Sequence, residues 1–291
     1  MNFFDLHADT PLILDEKTSN SSVVELKNHP FDIYKQVMAI FIRDGDKTPF
    51  ESYKRRVSLI KSHLKNSEFP FLTKSLPNSS GAFLTVENAS FLAEDINRIY
   101  TLKNDGVVAL SFTWNGDNLL ASGANGEGGI TPLGKEVINK MNSLGLVLDI
   151  SHLNHKSAME AIELANKVFA SHTAIYSLNP HPRNLKDEAI LALKQKQGLI
   201  GLCFYPLFLG GDNVFKSLCD SAEYLISLGM EQNIALGSDF DGAEMSFFLS
   251  KTSHIPNLFN EFCSRGFKKS TVNKIFYKNA IDFFNKICEN K

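Results

Sequence analysis

Five short apolar runs in this chain end in residues that bind metals or move protons. Phe3-Phe4-Asp5-Leu6-His7-Ala8-Asp9 closes with a histidine and a carboxylate two positions apart. Alternate side chains on a strand share a face, so His7 and Asp9 can grip one cation, with Asp5 on that side one step deeper. Imidazole nitrogen with carboxylate oxygen is a donor set that suits zinc. Four further runs end alike: Ala82-Phe83-Leu84-Thr85-Val86 in Glu87, Leu146 to Ser151 in His152, Val168 to Ser171 in His172, and Ile234 to Ser238 in Asp239. Each motif is short, but three histidines and three carboxylates at run ends suggest a metal-binding functional site. His29, His63, His155, His181 and His254 fall in loops or on helix surfaces and read as structural.

These residues can cooperate only if the run ends are brought together. Between the runs lie helical stripes: Phe50, Tyr53, Val57, Ile60 and Leu64; a stretch through Phe91, Ile96 and Ile99; and Leu133, Val137, Ile138, Met141 and Leu144. The third stripe is punctuated by Thr131-Pro132 at its start and Gly145 at its end, while Asn154 caps the following helix. Further helices are expected over Glu188 to Lys196 and Phe215 to Leu228. The remaining strands are Gln36 to Ile42, Val107 to Phe112 and Leu199 to Phe204, continuous apolar runs of the kind buried on both faces. Eight strands alternating with helices predict a single (β/α)8 TIM barrel over residues 1–291, with an additional C-terminal helix from Thr271 to Cys288. Such barrels carry their chemistry where the C-terminal strand ends meet. The polar segment Asp15 to Asn28, with Ser19-Asn20-Ser21-Ser22, is expected as a loop beside that face.

Composition narrows the functional classes. The chain is 43% hydrophobic and 21% charged, ordinary for a globular protein. Thirty basic against 32 acidic residues give a net charge of −2, and the longest basic run is Lys54-Arg55-Arg56, so nucleic acid is not an expected partner. No apolar run approaches the roughly 20 residues that span a bilayer, and no secretory leader is evident, so no membrane association is expected. Cys203, Cys219, Cys263 and Cys288 show no paired or metal-finger spacing and read as reduced thiols, which predicts a cytoplasmic setting.

The motifs taken in order resemble the membrane (renal) dipeptidase family, zinc-dependent barrels of the amidohydrolase superfamily. The matching pieces are Asp5-Leu6-His7-Ala8-Asp9, Val86-Glu87, Gly129-Ile130-Thr131-Pro132-Leu133-Gly134, Leu148-Asp149-Ile150-Ser151-His152, Ser171-His172, Arg183-Asn184-Leu185 and Gly237-Ser238-Asp239-Phe240-Asp241-Gly242. The resemblance implies a small-molecule or dipeptide substrate and two zinc ions per chain. His7 and Asp9 would hold one ion, His152 and His172 the other, and Glu87 would bridge both. It implies dipeptide hydrolysis by a zinc-bridged hydroxide, with Asp239 as general acid/base and Arg183 binding the substrate carboxylate. Asp241 is expected to orient ligands or the following turn. A homodimer is compatible with the sequence.

One departure bears on chemistry. Many members of the family place a histidine after the fourth strand to bind the substrate carbonyl, whereas this chain carries Trp114 there, in Ser111-Phe112-Thr113-Trp114-Asn115. An indole N–H donates one hydrogen bond and cannot become cationic, so oxyanion stabilisation must be weaker or come from metal. Trp114 therefore also admits an alternative, a superfamily hydrolase acting on an N-acyl amino acid, lactone or similar small molecule. Lys278-Asn279-Ala280 also lacks a glycine usual in the family, a matter of packing.

Overall fold

The computed structural model describes residues 1–16, 22–73 and 78–289. Eight parallel strands close into a barrel in chain order: β1 (Phe3–Ala8), β2 (Tyr34–Phe41), β3 (Gly81–Glu87), β4 (Val107–Leu110), β5 (Val147–Asp149), β6 (Val168–Thr173), β7 (Ile200–Leu202) and β8 (Ile234–Leu236). This is the (β/α)8 architecture that the alternation of apolar runs and stripes predicts. Tyr53, Val57, Ile60 and Leu64 of the helix Pro49–Asn66 share the outer core with Met38 and Ile40 of β2. The punctuation also holds. Thr131 Oγ1 accepts the Gly134 N–H, Gly145 takes φ 66° behind Leu144, and Asn154 Oδ1 accepts the Ser157 N–H.

Local expectations fail where side chains compete with the backbone. The stretch through Phe91, Ile96 and Ile99 is not one helix but a 3-10 turn, Ser90–Ala93, followed by the helix Arg98–Asp105. Between them the Asp95 carboxylate accepts the Asn97 N–H, a local bond that replaces a helical one. Asp15 is not in a loop: it lies in the helix Thr10–Glu16, tied by Arg55 and Arg56. Ser19, Asn20 and Ser21 of the expected loop, and the Cys288 side chain, lie outside what is described. Cys203, Cys219 and Cys263 are free thiols. Among the described residues no helix is long and apolar enough to cross a membrane.

The barrel has an apolar floor and a polar mouth. Phe4, Leu6, Val37, Phe83, Val108 and Phe169 form an inner core sealed from below by the C-terminal helix Asn279–Glu289. Its Phe284 ring stands 4.9 Å from Phe4 and 5.0 Å from Phe83. Burying that ring contributes roughly 1.5–3 kcal/mol and excludes water from the base of the site.

Two register shifts bear on how the candidate ligands are placed. Asp5 pairs with Gln36 and Ala8 with Met38, so β1 advances three residues while β2 advances two. Leu6 and His7 together oppose Val37, as in a β-bulge. On β6, Ala170 pairs with Ile200 and Thr173 with Leu202, so Ser171 and His172 together oppose Gly201. A Cβ at Gly201 would collide with the Ser171 carbonyl, so glycine there lets the bulge form.

Candidate metal centre

All six of the residues singled out at run ends meet at the mouth of the barrel. His7 Nε2 lies 3.1 Å from Glu87 Oε2, 3.4 Å from Asp9 Oδ2 and 3.8 Å from Asp239 Oδ1. Across Glu87, His152 Nε2 lies 2.9 Å from Glu87 Oε1 and 2.9 Å from His172 Nε2. Glu87 thus turns one oxygen to each group. His7–Asp9–Glu87, Glu87–His152–His172 and His7–His172–Asp239 each present donor atoms within 4.8 Å of one another.

Several of these donors lack a hydrogen bond among the described residues. His7 Nε2, Asp9 Oδ1 and Glu87 Oε2 are buried without a hydrogen-bond partner among the described residues. An unpaired buried polar atom costs about 1–3 kcal/mol, so three at one place call for a ligand. Tetrahedral zinc takes nitrogen and oxygen donors at about 2.0–2.2 Å, which sets neighbouring donors about 3.3 Å apart, near the separations found here. The residues therefore fit a divalent metal by donor type, burial and spacing.

The backbone is held in unusual conformations to achieve this. His152 has φ 70° and Asp239 φ 65°, left-handed values that cost on the order of 1–3 kcal/mol each and must be maintained by surrounding contacts. Asn115 Oδ1 lies 2.9 Å from His152 Nδ1, and Ser171 Oγ lies 2.8 Å from His172 Nδ1. Asp239 N–H donates to the His7 carbonyl, and the Cys203 thiol donates to Asp239 Oδ2 at 3.8 Å. Gly242 passes so close that a Cβ there would collide with Asp9 Oδ2.

The carboxylates shape one another's charge. Burial, reinforced by the Glu87 charge, pushes Asp9 up to about 6. Burial pushes Asp239 up to about 8; His7 opposes this, and Asp9 and Glu87 add to it. Burial alone would raise Glu87, but His152 and His7 outweigh it and hold the group well below the usual range. Burial lowers His152 to about 4, helped by the Arg183 charge. For His7 burial is outweighed by Asp9 and Glu87, which raise it well above an ordinary imidazole. Neighbouring carboxylates at His7, and burial at Asp239, thus push both groups toward their protonated forms.

A cleft of about 720 Å³ opens above the cluster, with Trp114, His181, Arg183, Tyr205 and Phe208 among its walls. Trp114 stands edge-on to Phe41 at 5.4 Å and 6.3 Å from the His152 ring. Arg183 is buried, with its guanidinium 5.1 Å from the Phe208 ring centre. Its Nη2 donates to the His172 carbonyl at 3.4 Å, and its Nε has no partner among the described residues.

Several readings change with the geometry. Asp5 does not share the face of His7, because the β1 bulge reverses the alternation between them. Its carboxylate accepts the Ser238 N–H at 2.8 Å and the Ser238 hydroxyl at 2.6 Å, joining β1 to β8. His181, read as structural, lines the cleft and accepts the Arg183 N–H at Nδ1. Asp241 accepts from Thr10 Oγ1, Ser22 Oγ and the Val23 N–H, fixing the segment that follows Asp9, in keeping with an orienting role. Asn115, Ser171 and Cys203 carry no signal of their own in sequence, being small polar residues whose role appears only once strands are adjacent.

Comparison with known proteins gives a consistent result. Residues 70–291 match the family described as membrane dipeptidase (peptidase family M19); that range holds Glu87 and Asp239 but not His7 or Asp9. The chain is 30% identical over 189 residues to the "Uncharacterized protein in pqqA 5'region" of Klebsiella pneumoniae, covering 60% of this chain and 70% of that one. It is 30% identical over 174 residues to Dipeptidase tcpJ of Claviceps purpurea, covering 57% of this chain but only 41% of that protein's length. Among solved structures, dipeptidase AC, a metallopeptidase of family M19, superposes with a TM-score of 0.88 at 19% identity over 97% of each chain. A metallopeptidase from Rhodobacter sphaeroides, liganded with a phosphinate mimic of the dipeptide L-Ala-D-Ala, does so at 0.86 and 18% identity over 99% of each. At such identities the likeness is one of fold.

Proposed function

The chain belongs to the membrane dipeptidase family of metallopeptidases, and from that premise we propose that residues 1–291 form one hydrolase domain that cleaves dipeptides at a two-metal site. In this reading His7 and Asp9 hold one divalent ion, His152 and His172 the other, and Glu87 both, with zinc favoured by the imidazole and carboxylate donors. The observation that supports the reading is the set of buried donors at His7, Asp9 and Glu87, which crowd together without a hydrogen bond to His7 Nε2, Asp9 Oδ1 or Glu87 Oε2 among the described residues. When bound, the ions supply Lewis acidity, acidifying water and polarising the scissile carbonyl.

The protein's own groups do the rest. Asp239 takes the proton from the attacking water and returns it to the departing amine. Arg183 offers a planar fork to the substrate's terminal carboxylate. Trp114 and Phe41 form an apolar wall beside the scissile bond and leave carbonyl activation chiefly to metal. Trp114 also supports the second reading, hydrolysis of an N-acyl amino acid or lactone.

Metal analysis with a panel of L-L and L-D dipeptides tests the proposal. The purified protein should carry up to two divalent metals per chain, lose hydrolysis on chelation and regain it with zinc. Turnover of N-acyl amino acids or lactones with no dipeptide cleaved would transfer the assignment to the second reading.

Metal uptake should depend steeply on pH. Ligands must be deprotonated to bind, and Asp9 at about 6 together with the raised His7 binds protons that a metal has to displace. Apparent metal affinity, measured by chelator competition, should therefore rise from pH 6 to pH 8, with protons released on loading. Equal affinity at both pH values would show that neither group is a ligand.

Arg183 should make the free C-terminus of the substrate matter. Amidating a good dipeptide leaves the guanidinium unpaired in a partly dry cleft, costing roughly 1.5–3 kcal/mol in kcat/KM. In Arg183→Ala the two substrates should be hydrolysed at nearly the same rate. A penalty for amidation that persists in Arg183→Ala would place the carboxylate elsewhere.

A further inference from the structure

We propose that Ser171 is a positioning residue that fixes the tautomers of His7 and His172 together and so couples the two metal half-sites. The inference rests on the two-metal reading above. Ser171 Oγ lies 2.8 Å from His172 Nδ1, 3.4 Å from His7 Nδ1 and 3.2 Å from Ser151 Oγ. A hydroxyl has one hydrogen and two lone pairs, and these three neighbours account for all of them. Both ring nitrogens can donate to Ser171 only if each imidazole carries its proton at Nδ1, which leaves both Nε2 atoms bare toward the carboxylates. The one hydroxyl hydrogen then goes to Ser151 Oγ, which also accepts the His172 N–H at 3.2 Å.

The third histidine follows the same rule with a different partner, since Asn115 Oδ1 at 2.9 Å accepts from His152 Nδ1. With Nδ1 protonated on both rings, His152 and His172 face each other through two Nε2 lone pairs 2.9 Å apart. That contact is repulsive unless a cation or proton lies between them. Among the described residues, Ser171 is the one whose hydroxyl reaches histidines of both half-sites, because His7 belongs to one and His172 to the other.

The fold makes this placement, not the sequence alternation. On a regular strand Ser171 and His172 would face opposite sides. The β6 bulge sets both against Gly201, and the Ser171 N–H is held at 3.0 Å by Asp149 Oδ1. Ser171 is 1% exposed, so water does not substitute for its hydroxyl.

The test uses metal binding and tautomer, not turnover alone. In Ser171→Ala the affinities for both ions should fall together by roughly 10–100-fold, the range for losing the group that orients a ligand histidine. Zinc competition with a chromophoric chelator reads this directly. A loss confined to one ion, or no loss, overturns the shared bridge. Should Ser171→Ala fold poorly, the zinc-loaded parent suffices: long-range proton–nitrogen correlation of the imidazoles should show His7 and His172 protonated at Nδ1. Either ring found protonated at Nε2 overturns the proposal. Neither readout needs a dipeptide substrate, so an error in the assigned reaction would appear separately, as correct tautomers and metal affinities without dipeptide hydrolysis.

Discussion

Asp239→Asn should hydrolyse dipeptides at least about 10²-fold more slowly than the parent while binding metal at the parent stoichiometry. The substitution keeps the shape of the side chain and removes its ability to accept a proton. Asp239 stands at the end of β8 with Oδ1 3.8 Å from His7 Nε2, beyond the nearer contacts that Asp9 and Glu87 make to the same atom. Its other oxygen receives a thiol hydrogen bond from Cys203, a weak donor that neutralises little charge. Before any metal charge acts on it, burial raises the group to about 8, an upward push from the ordinary carboxylate range that favours proton uptake. That is the property required of a group that takes a proton from water and gives it to an amine. The measurement is kcat on a dipeptide beside metal content. A variant that loses metal but keeps its turnover per bound ion would make Asp239 a ligand instead.

How far the sequence discloses this site depends on which residue is asked about. The barrel was legible because each strand is a continuous apolar run and each helix a stripe, and because Thr131, Gly145 and Asn154 mark boundaries by mechanisms local to them. The candidate metal donors were legible because histidine and carboxylate at the end of an apolar run have few structural uses. Asp5 was misplaced because strand alternation assumes regular register, and nothing in Phe3 to Ala8 announces that two residues of β1 will oppose one of β2. Ser171 was hidden by the same device. His181 was hidden because a histidine in a loop looks the same from sequence whether the loop faces solvent or folds back against Arg183 and Phe208. Local propensity is readable residue by residue, whereas register and loop return are set by distant partners.

Glu87→Gln should bring metal occupancy from as many as two ions to at most one and reduce dipeptide hydrolysis to near background. Glu87 is the residue whose two oxygens reach both groups, Oε2 toward His7 and Oε1 toward His152. A glutamine of equal length supplies one acceptor and one amide nitrogen, so whichever way it turns it directs N–H hydrogens at a place where an ion needs a lone pair. It also removes a negative charge from between two proposed dications, whose mutual repulsion is severe in a buried site unless an anion lies between them. The ionised form of Glu87 is favoured in the folded protein by its contacts with His152 and His7, so the charge is built into the site rather than induced by metal. The fold itself should survive, because Glu87 ends β3 and its carbonyl still accepts the Ile42 N–H. Far-UV circular dichroism like the parent's, with metal content measured after zinc loading, checks the prediction. Two tightly held ions and full activity in Glu87→Gln would remove the basis for a shared bridging carboxylate, leaving each ion to be held by its own histidines.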